Sequence, residues 1–364
     1  MIVGIFSPVL NICGGAELVA VNLIETLKAN GHQIVVLTDK PLDQKKFEKM
    51  FGRRVVVDRE IIFPLRFSSH RDYHNIYTDF IRSILLKKKC EILIDTFSNA
   101  LLPGTNISYI HYPLLKTIEH QLPFKKRSLY YLPYKQYLFS QRKNNYKKLF
   151  FANSKYTADA VRSEFGINPY VLYPPVLTNF FDKDEMLLDQ KRENRVVTIG
   201  RISDDKNLGI IPQIAQLTNK EICFTILGHL DSKKTLDTLR NQITHLKLSD
   251  RVKIMTNITR KELRNILLKS KVYLHTKINE HFGISIVEAM SLGCIPVVHN
   301  SGGPKEFVQN NFRYENISEA SKIVDKAITS WSFKKSAAIS KSSKRFNENR
   351  FSEQFIDIFN AHFL

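Results

Sequence analysis

The residues best suited to chemistry lie between positions 280 and 307, in the sequence EHFGISIVEAMSLGCIPVVHNSGGPKEF. Two carboxylates, Glu280 and Glu288, are eight positions apart; Gly283 ends a loop before a helical pattern, and a glycine-rich turn, 301–304, follows an apolar strand. Backbone N–H groups at such turns suit an anion, and carboxylates suit hydroxyl groups. Each feature alone has an ordinary structural explanation, but their combination after two successive strands predicts a site for phosphate beside hydroxyls, as in a nucleotide sugar.

A pair of cations follows the predicted strand 195–199. Arg201 and Lys206 lie on one loop that begins at Gly200. Two cations there could neutralise a departing diphosphate without a metal, because fixed positive charge stabilises negative charge that develops in a reaction. Basic loop residues are more often simply solvated. This loop is the first after a strand, however, where open α/β sheets bind ligands, so we favour a phosphate-binding role.

The first half of the chain contributes two further candidates. Gly14 and Gly15 follow the first predicted strand and open a helix, which lets backbone approach an anion closely. A tight turn with Glu17 complementing the helix dipole explains them equally well. His111 ends a predicted strand before a proline-restricted turn, so we expect it to face the ligand and donate to a sugar hydroxyl or the reacting oxygen. A core histidine bonded to backbone is the alternative.

Apolar runs rich in β-branched residues alternate with helical patterns, which predicts parallel strands with crossover helices. This framework would position the candidate residues. We predict strands over 2–7, 33–38, 91–96, 107–111, 149–153, 195–199, 222–227, 252–255, 272–275 and 295–298, and helices over 16–29 and 352–363. Pro174-Pro175 cannot continue a central strand, and a polar stretch follows. We therefore predict two Rossmann-like, doubly wound domains, 1–178 and 179–350, facing each other across a cleft. The terminal helix, 351–364, is expected to pack back on the first.

The composition constrains the partners and the compartment. The chain has 54 lysines and arginines against 35 acids, a net charge of +19 that fits nucleic acid, anionic lipid or phosphorylated substrates. Four scattered cysteines form no CxxC pair, which argues for a reducing compartment and against a zinc cluster. We find no signal peptide and no run of about 18 apolar residues, so we expect a cytoplasmic protein with only peripheral membrane contact. The DxD sequence 182–184 lies in the predicted linker, and no metal site is predicted.

Residues 116–148 form a segment that we call the basic-aromatic segment, with nine basic side chains, seven aromatic rings and one acid, Glu119. Basic residues near an anionic leaflet contribute about 1 kcal/mol each, and aromatic rings suit the interface. Single-stranded nucleic acid would accept the same mixture, and so would an ordinary fold with rings in the core and lysines in water. We predict contact with an anionic membrane surface, hold the ordinary interpretation open, and expect no nucleic acid.

Together these features resemble the retaining glycosyltransferases of family 4, which have the GT-B fold. The resemblance covers most of the chain and rests on Glu280-x7-Glu288, Gly200-Arg201 with Lys206, Gly14-Gly15-Ala16-Glu17 and Gly302-Gly303-Pro304 with Glu306. Within that family, the sequence is most similar to the α-1,2-mannosyltransferases of asparagine-linked glycosylation, which extend a dolichyl-diphosphate oligosaccharide from GDP-mannose. This closer likeness rests on the sequences of 280–307, 108–113, 153–157 and 172–175.

The resemblance implies a role for each candidate in the second half of the chain. Arg201 and Lys206 would bind the donor diphosphate. Glu288 would hold the ribose hydroxyls, and Glu280 would contact the donor sugar. The backbone that would lie beside that sugar belongs to Phe282, Gly283 and Ile284.

The resemblance also implies roles in the first half, and a reaction. His111 would touch the transferred sugar near the reacting carbon, and Gly14 and Gly15 would lie against the donor phosphate or the incoming acceptor. Such enzymes need no metal and retain the anomeric configuration. In the front-face reaction usually proposed for them, the departing phosphate helps to deprotonate the acceptor hydroxyl.

We therefore predict an enzyme that moves a hexose, mannose from GDP-mannose, onto a polyprenyl (dolichyl)-linked oligosaccharide or related glycan at the cytoplasmic face of a membrane. One alternative is a glucosyl- or other hexosyltransferase that uses a UDP-sugar and a cell-surface glycan. Another is a nucleotide-sugar 2-epimerase of the same fold. A third, of a different class, is a non-catalytic basic protein that binds nucleic acid.

Overall fold

The computed structural model describes residues 1–64, 75–119, 124–141, 148–177 and 191–364. They divide into two compact units, one made of Met1–Pro175 with Glu348–Leu364 and the other of Val176–Asn347; the sequence predicted divisions after 178 and 350. Of the basic-aromatic segment, the side chains at 116–118, 130–141 and 148 are described. The DxD sequence 182–184 lies outside the described residues.

The first unit is built on a seven-stranded parallel sheet with the order β3-β2-β1-β4-β5-β6-β7. Its strands are β1 Ile2–Phe6, β2 Gln33–Thr38, β3 Arg59–Ile62, β4 Ile92–Asp95, β5 Ile107–Ile110, β6 Leu149–Ala152 and β7 Tyr170–Val171. Its helices up to this point of the chain are α1 Gly15–Ala29, α2 Gln44–Phe51, α3 Ile76–Lys87, α4 Leu114–Glu119, α5 Phe124–Gln141 and α6 Lys155–Phe165. Strands β4, β5 and β6 are buried at every position, as expected of parallel strands covered on both faces.

The second unit is built on a six-stranded parallel sheet with the order β10-β9-β8-β11-β12-β13. Its strands are β8 Glu193–Ile199, β9 Cys223–Gly228, β10 Val252–Thr256, β11 Ser270–His275, β12 Ile295–His299 and β13 Arg313–Tyr314. Its helices are α7 Ile210–Leu217, α8 Lys233–His245, α9 Arg260–Lys269, α10 Ile284–Ser291, α11 Ile317–Thr329 and α12 Phe333–Ser343. The α/β class predicted from the sequence is confirmed in each unit.

The strand orders identify the edges where ligands are expected. In the second sheet, β8 and β11 are neighbours, and the chain runs away from them in opposite directions. Ligands of open α/β sheets bind outside the carboxyl ends of strands at such a reversal. The loops after these two strands begin at Gly200 and Thr276, so this topology places the predicted cation loop beside the loop that carries Glu280.

The last helix, α13 Glu348–Phe363, belongs to the first unit, although the second unit precedes it in the chain. Phe355 and Phe359 on its inner face are buried. The α1 residue Thr26 donates a hydrogen bond of 2.7 Å to Ser352. Apolar side chains at helical spacing predicted this helix from 352 onward, and the structure extends it by one turn at its start.

An arginine joins α1 and α13 through two carboxylates. Arg53 Nη2 donates to Glu348 at 2.6 Å, and its Nε lies 2.8 Å from Glu25. Burial, together with the nearby Glu348 charge, raises the pKa of Glu25 to about 7 against the opposing influence of Arg53. The folded chain therefore prefers Glu25 protonated, and ionisation of this side chain opposes folding.

Glu25→Gln should stabilise the protein at pH 8 and have little effect below pH 5. A folded pKa of about 7 above a reference value of 4.5 means that the contribution of Glu25 is full at acidic pH and is lost as the pH rises through 7. Because over a third of the side chain is exposed, we expect only on the order of 1 kcal/mol, or roughly 2–4 °C in melting temperature. The matched control is Glu48→Gln, on an exposed ion pair with Arg54. Equal shifts in both variants at every pH would contradict the assignment.

Candidate functional site

The loops that follow β8 and β11 are tied together by hydrogen bonds. The Thr276 hydroxyl donates to the Lys206 carbonyl at 2.6 Å, and Asn207 Nδ2 donates to the Thr276 carbonyl at 3.4 Å. Asn207 has a φ of +51°, the left-handed conformation that Asn tolerates better than most residues. These bonds hold Lys206 over the end of β11.

Glu280 is the centre of a charge cluster at this edge. Its Oε2 lies 3.4 Å from Lys206 Nζ and 3.1 Å from His275 Nε2. Lys277 Nζ is 4.0 Å from Oε1. Burial alone would raise the pKa of Glu280, but the hydrogen bond from His275 and the positive charges of Lys206 and Lys277 lower it well below its usual range. Glu280 is therefore a permanent carboxylate, able to accept hydrogen bonds from hydroxyls and unsuited to donate a proton.

His275 orients that carboxylate from the last position of β11. Burial lowers the pKa of His275, so the ring is neutral at pH 7 and its Nε2–H donates to Glu280. Its Nδ1 is then an acceptor and lies 3.4 Å from the Tyr273 hydroxyl, which donates to Ser285 Oγ at 2.8 Å. Lys277 and the contact of His275 with Glu280 were not predicted from the sequence. The signal that could have found His275 is Tyr273 two residues earlier, on the same face of the strand.

The glycine-rich turn after β12 supports the Glu280 loop from behind. Gly303 N–H donates to the Glu280 carbonyl at 2.8 Å. A Cβ on Gly302 would lie 2.2 Å from that carbonyl oxygen, and a Cβ on Gly303 would lie 2.1 Å from the His281 carbonyl oxygen. The prediction that this turn offers its N–H groups to an anion is therefore wrong for Gly303, whose N–H is already bonded to the chain. These glycines are needed because two backbones approach each other here.

The turn before α10 keeps the geometry that suits an anion. Gly283 has a φ of +91° and immediately precedes the helix, which begins at Ile284 as predicted. The first N–H groups of a helix have no carbonyl partner within the helix. Phe282 is buried and packs against Phe307 and Phe346, and this contact anchors the turn. The backbone of Gly283 and Ile284 is thus presented on a rigid support.

Glu288 is a second buried carboxylate, on α10 rather than on the loop. Arg260, the first residue of α9, places Nη1 3.6 Å from its Oε1. Burial raises the pKa of Glu288, and the charge of Arg260 opposes that change. Arg260 was not predicted from the sequence, because it reaches Glu288 only through the packing of α9 against the sheet.

Arg201 differs from Lys206 in its surroundings. Its side chain is 59% exposed and lies 3.8 Å from Asp205 and 3.7 Å from Asp231. Asp205 also lies 3.6 Å from Lys277. The acids of these loops therefore offset part of the positive charge at this edge, while Arg201 keeps the exposure that contact with a ligand requires.

In the first unit, the glycine turn after β1 is used to start a helix. Gly14 N–H donates to the Glu17 carboxylate at 2.8 Å, so that Glu17 caps the helix that begins at Gly15. This contact agrees with the tight-turn interpretation for Gly14. A ligand that used the same N–H would have to displace Glu17.

His111 is half-buried at the end of β5 and is bonded to backbone. Its Nε2 lies 3.1 Å from the Thr96 carbonyl oxygen, which can only accept. Burial lowers the pKa of His111 to about 4, so the ring is neutral and the Nε2 proton is engaged by Thr96. The remaining nitrogen, Nδ1, is an acceptor. We predicted that His111 donates a hydrogen bond to a ligand. In the structure it can instead accept a hydrogen bond from a hydroxyl.

The described residues also bear on metal binding and on membrane crossing. No group of three or more His, Cys, Asp or Glu side chains in that part of the chain is arranged to hold a metal ion. Within the same residues, no helix combines the length and the apolar character that crossing a membrane requires.

Both halves of the chain match glycosyltransferase family models. Residues 13–180 match "Glycosyltransferase Family 4", and residues 180–349 match "Glycosyl transferases group 1". The two matches together cover nearly the whole chain.

Curated relatives carry a more specific name, "GDP-Man:Man(3)GlcNAc(2)-PP-Dol alpha-1,2-mannosyltransferase". The protein from Dictyostelium discoideum is 28% identical over 238 residues, 58% of this chain and 47% of the relative. The protein from Debaryomyces hansenii is 26% identical over 386 residues, 86% of this chain and 62% of the relative. The chain spans about half the length of the curated relatives it matches.

Solved structures share the fold. HepE of Anabaena in complex with UDP and glucose superposes with a TM-score of 0.72 at 18% sequence identity, covering 99% of this chain and 100% of that one. This similarity confirms the GT-B fold class predicted from the sequence, with one parallel sheet in each unit.

Gly303→Ala should destabilise the protein by about 1–3 kcal/mol, the usual cost of forcing atoms into a packed position. The added Cβ would lie 2.1 Å from a backbone oxygen, which no side-chain rotation relieves, so the Glu280 loop must shift. The melting temperature and the affinity for a nucleotide sugar should both be lower than in the wild type. Gly209→Ala is the matched control, since the nearest atom to its Cβ is a side-chain oxygen at 3.6 Å. Wild-type stability and binding in Gly303→Ala would refute the supporting role.

Proposed function

Because the chain belongs to the glycosyltransferases, with a family 4 first half and a group 1 second half, we propose that it is a retaining mannosyltransferase. Its proposed donor is GDP-mannose, and its proposed acceptor is a polyprenyl (dolichyl)-linked oligosaccharide. The names of the curated relatives support both, since those names include GDP-Man as donor and PP-Dol as acceptor. The proposal extends to this chain what those names state of longer proteins.

The observation that carries the proposal is the buried, ionised Glu280 with a lysine beside it. This carboxylate lies 3.4 Å from the Lys206 ammonium, next to the start of α10. The carboxylate can accept hydrogen bonds from hydroxyls, and the ammonium beside it can bind a phosphate. A nucleotide sugar needs both at its sugar–phosphate junction. In this proposal Glu280 accepts hydrogen bonds from the transferred sugar, and the backbone of Phe282, Gly283 and Ile284 lies beside it.

The cations stabilise the departing diphosphate in the proposed reaction. As the bond between the anomeric carbon and the diphosphate oxygen breaks, negative charge grows on that oxygen, and Lys206 and Arg201 are proposed to neutralise it. The acceptor hydroxyl oxygen forms the new bond on the same face of the sugar, and its proton passes to the departing phosphate. Since Glu280 is ionised and His275 is neutral, neither is a ready proton donor. The step is proposed to need no metal.

The remaining proposed roles follow the chemistry of each side chain. Glu288 accepts hydrogen bonds from the ribose hydroxyls, for which its buried carboxylate beside Arg260 is suited. His111 accepts a hydrogen bond from a hydroxyl of the transferred sugar through Nδ1, since Nε2 is bonded to Thr96. Gly14 and Gly15 are proposed to lie near the donor phosphate or the acceptor.

We also propose that the protein acts at the cytoplasmic face of a membrane, in peripheral contact with an anionic surface through the first unit. The basic-aromatic segment supports this only in part. Tyr131 and Tyr134 are fully buried, as the ordinary interpretation predicted, whereas Phe139 is 73% exposed.

Glu280→Gln should lower the transfer rate by roughly 10²–10³-fold, the range seen when one preorganised electrostatic group is removed. Lys206→Ala should have an effect of similar size, because charge on the leaving diphosphate is no longer neutralised. The assay is transfer of labelled mannose from GDP-mannose to a lipid-linked acceptor, with circular dichroism to verify the fold. Glu221→Gln, on an exposed glutamate of the same unit, is the control. Full activity in either site variant would refute the site assignment.

GDP-mannose should raise the melting temperature more than UDP-glucose or UDP-N-acetylglucosamine does, because a ligand that binds only the folded state stabilises it by mass action. The Glu280→Gln variant should show a smaller shift. Stabilisation by UDP-sugars alone would favour a hexosyltransferase with a different donor. Release of free sugar from donor alone would favour an epimerase, and oligonucleotide binding without nucleotide-sugar turnover would favour a nucleic-acid-binding protein.

A further inference from the structure

The outer surface of α3 exposes large apolar side chains that the core does not use. Ile81, Ile84 and Leu85 are 57%, 45% and 40% exposed. Their spacing of three and four residues places them on one stripe of the helix. The opposite side of α3 carries Arg82 and Leu86, which are fully buried. The helix is therefore anchored on its inner side and apolar on its outer side, a pattern that packing among the described residues of this unit does not explain.

Helix α5 adds a second exposed stripe beside the first. The two helices touch through ring contacts, with centroids 5.3 Å apart for Tyr77–Tyr130 and 4.9 Å apart for Phe80–Tyr137. Inward-facing residues of α3 and α5 belong to one core cluster, so both helices cover the same side of the sheet. The outward-facing residues of α5 include Leu132, 49% exposed, and Phe139, 73% exposed. The apolar surface formed by Ile81, Ile84, Leu85, Leu132 and Phe139 is called the α3–α5 face below.

On the described side chains of these two helices and the two residues that follow α3, the exposed charges are positive. Lys88 and Lys89 follow α3 directly, Lys135 lies on the outer side of α5, and all three are exposed. The one acid of α3, Asp79, is buried 3.3 Å from Arg82. Helix α5 contains no Asp or Glu. Exposed apolar residues with lysines among them, and without exposed acids on the same helices, match the surface of an anionic bilayer.

We infer that the α3–α5 face inserts its apolar side chains into the interface of an anionic membrane, with Lys88, Lys89 and Lys135 at the level of the lipid headgroups. This inference rests on the proposed function, because a polyprenyl-linked acceptor presents its sugars at a bilayer surface. It adds α3, which lies outside the basic-aromatic segment, and assigns membrane contact to named apolar residues. A second copy of the chain is a poorer occupant, since like charges would face each other across the contact.

The test measures binding of the full chain to lipid vesicles by flotation, without donor or acceptor. The variant Ile84→Ser with Leu85→Ser should bind vesicles containing phosphatidylserine about tenfold more weakly, because two inserting side chains lose their apolar surface. Leu217→Ser, at a side chain 56% exposed in the second unit, is the matched control and should bind normally. Lys88→Glu with Lys89→Glu should remove the preference for anionic over neutral vesicles. Melting temperatures should stay unchanged, since every altered side chain is exposed.

Three outcomes would overturn the inference: unchanged vesicle binding by the Ile84/Leu85 variant, an equal loss in Leu217→Ser, or a wild-type dimer in sedimentation that the variant abolishes. Failure of the inference can be told apart from failure of the proposed function. With a water-soluble acceptor, the Ile84/Leu85 variant should keep wild-type turnover, whereas with the acceptor in anionic vesicles it should lose about tenfold. Vesicle binding that depends on the α3–α5 face in a chain without transferase activity would refute only the proposed function.

Discussion

The buried charge of Glu280 is the constraint on which the candidate site of the second unit depends. An ionised carboxylate taken out of water is costly unless opposite charges and hydrogen bonds compensate it. Here the compensation comes from two loops: Lys206 from the loop after β8, and His275 and Lys277 from the end of β11 and the loop after it. The contacts that compensate the charge of the carboxylate therefore also fix the positions of these three side chains.

That arrangement is possible because β8 and β11 are neighbours in the sheet although more than seventy residues separate Lys206 from Glu280 in the chain. The Thr276–Lys206 hydrogen bond fixes the spacing of the two loops. The backbone of the Gly302–Gly303 turn packs closely against the Glu280 loop. A glycine turn that looked like an anion site is thus a support. The first unit uses its own glycine turn similarly, since Glu17 occupies the Gly14 N–H.

Proton positions at the candidate site follow from burial and bonding partners. In the second unit, Glu280 stays ionised, while His275 stays neutral and donates its ring proton to the Glu280 carboxylate. Each of these groups is therefore an acceptor toward any further partner. Such a set suits a ligand rich in hydroxyl donors and leaves proton removal from an acceptor to the ligand's own phosphate, as the proposed reaction requires. The proposed insertion of the α3–α5 face complements it, because insertion would bring the first unit to the proposed lipid-linked substrate.

The fold was largely predictable because parallel strands buried on both faces are continuous apolar runs. Every predicted strand is present, with ends that differ by at most two residues. The strands that were missed, β3, β7 and β13, lie at sheet edges and are either two residues long or mostly exposed. Edge position and short length remove the apolar signal on which the prediction depends.

The sequence by itself determined the α/β class, the strands and helices that carry the candidates, and the residue types suited to phosphate and hydroxyl chemistry. Only the tertiary structure decided which of them meet. The positions of Lys277 and His275 depend on how the loops after β8 and β11 meet, and the position of Arg260 depends on helix packing. The Gly303 N–H is bonded to the backbone of the Glu280 loop. The exposed stripe of α3 likewise appears only when the opposite side of the helix is seen to be buried. The spacing of apolar residues along the chain reveals whether a segment has the period of a helix or of a strand. It does not reveal which elements come into contact, because those contacts depend on distances in space.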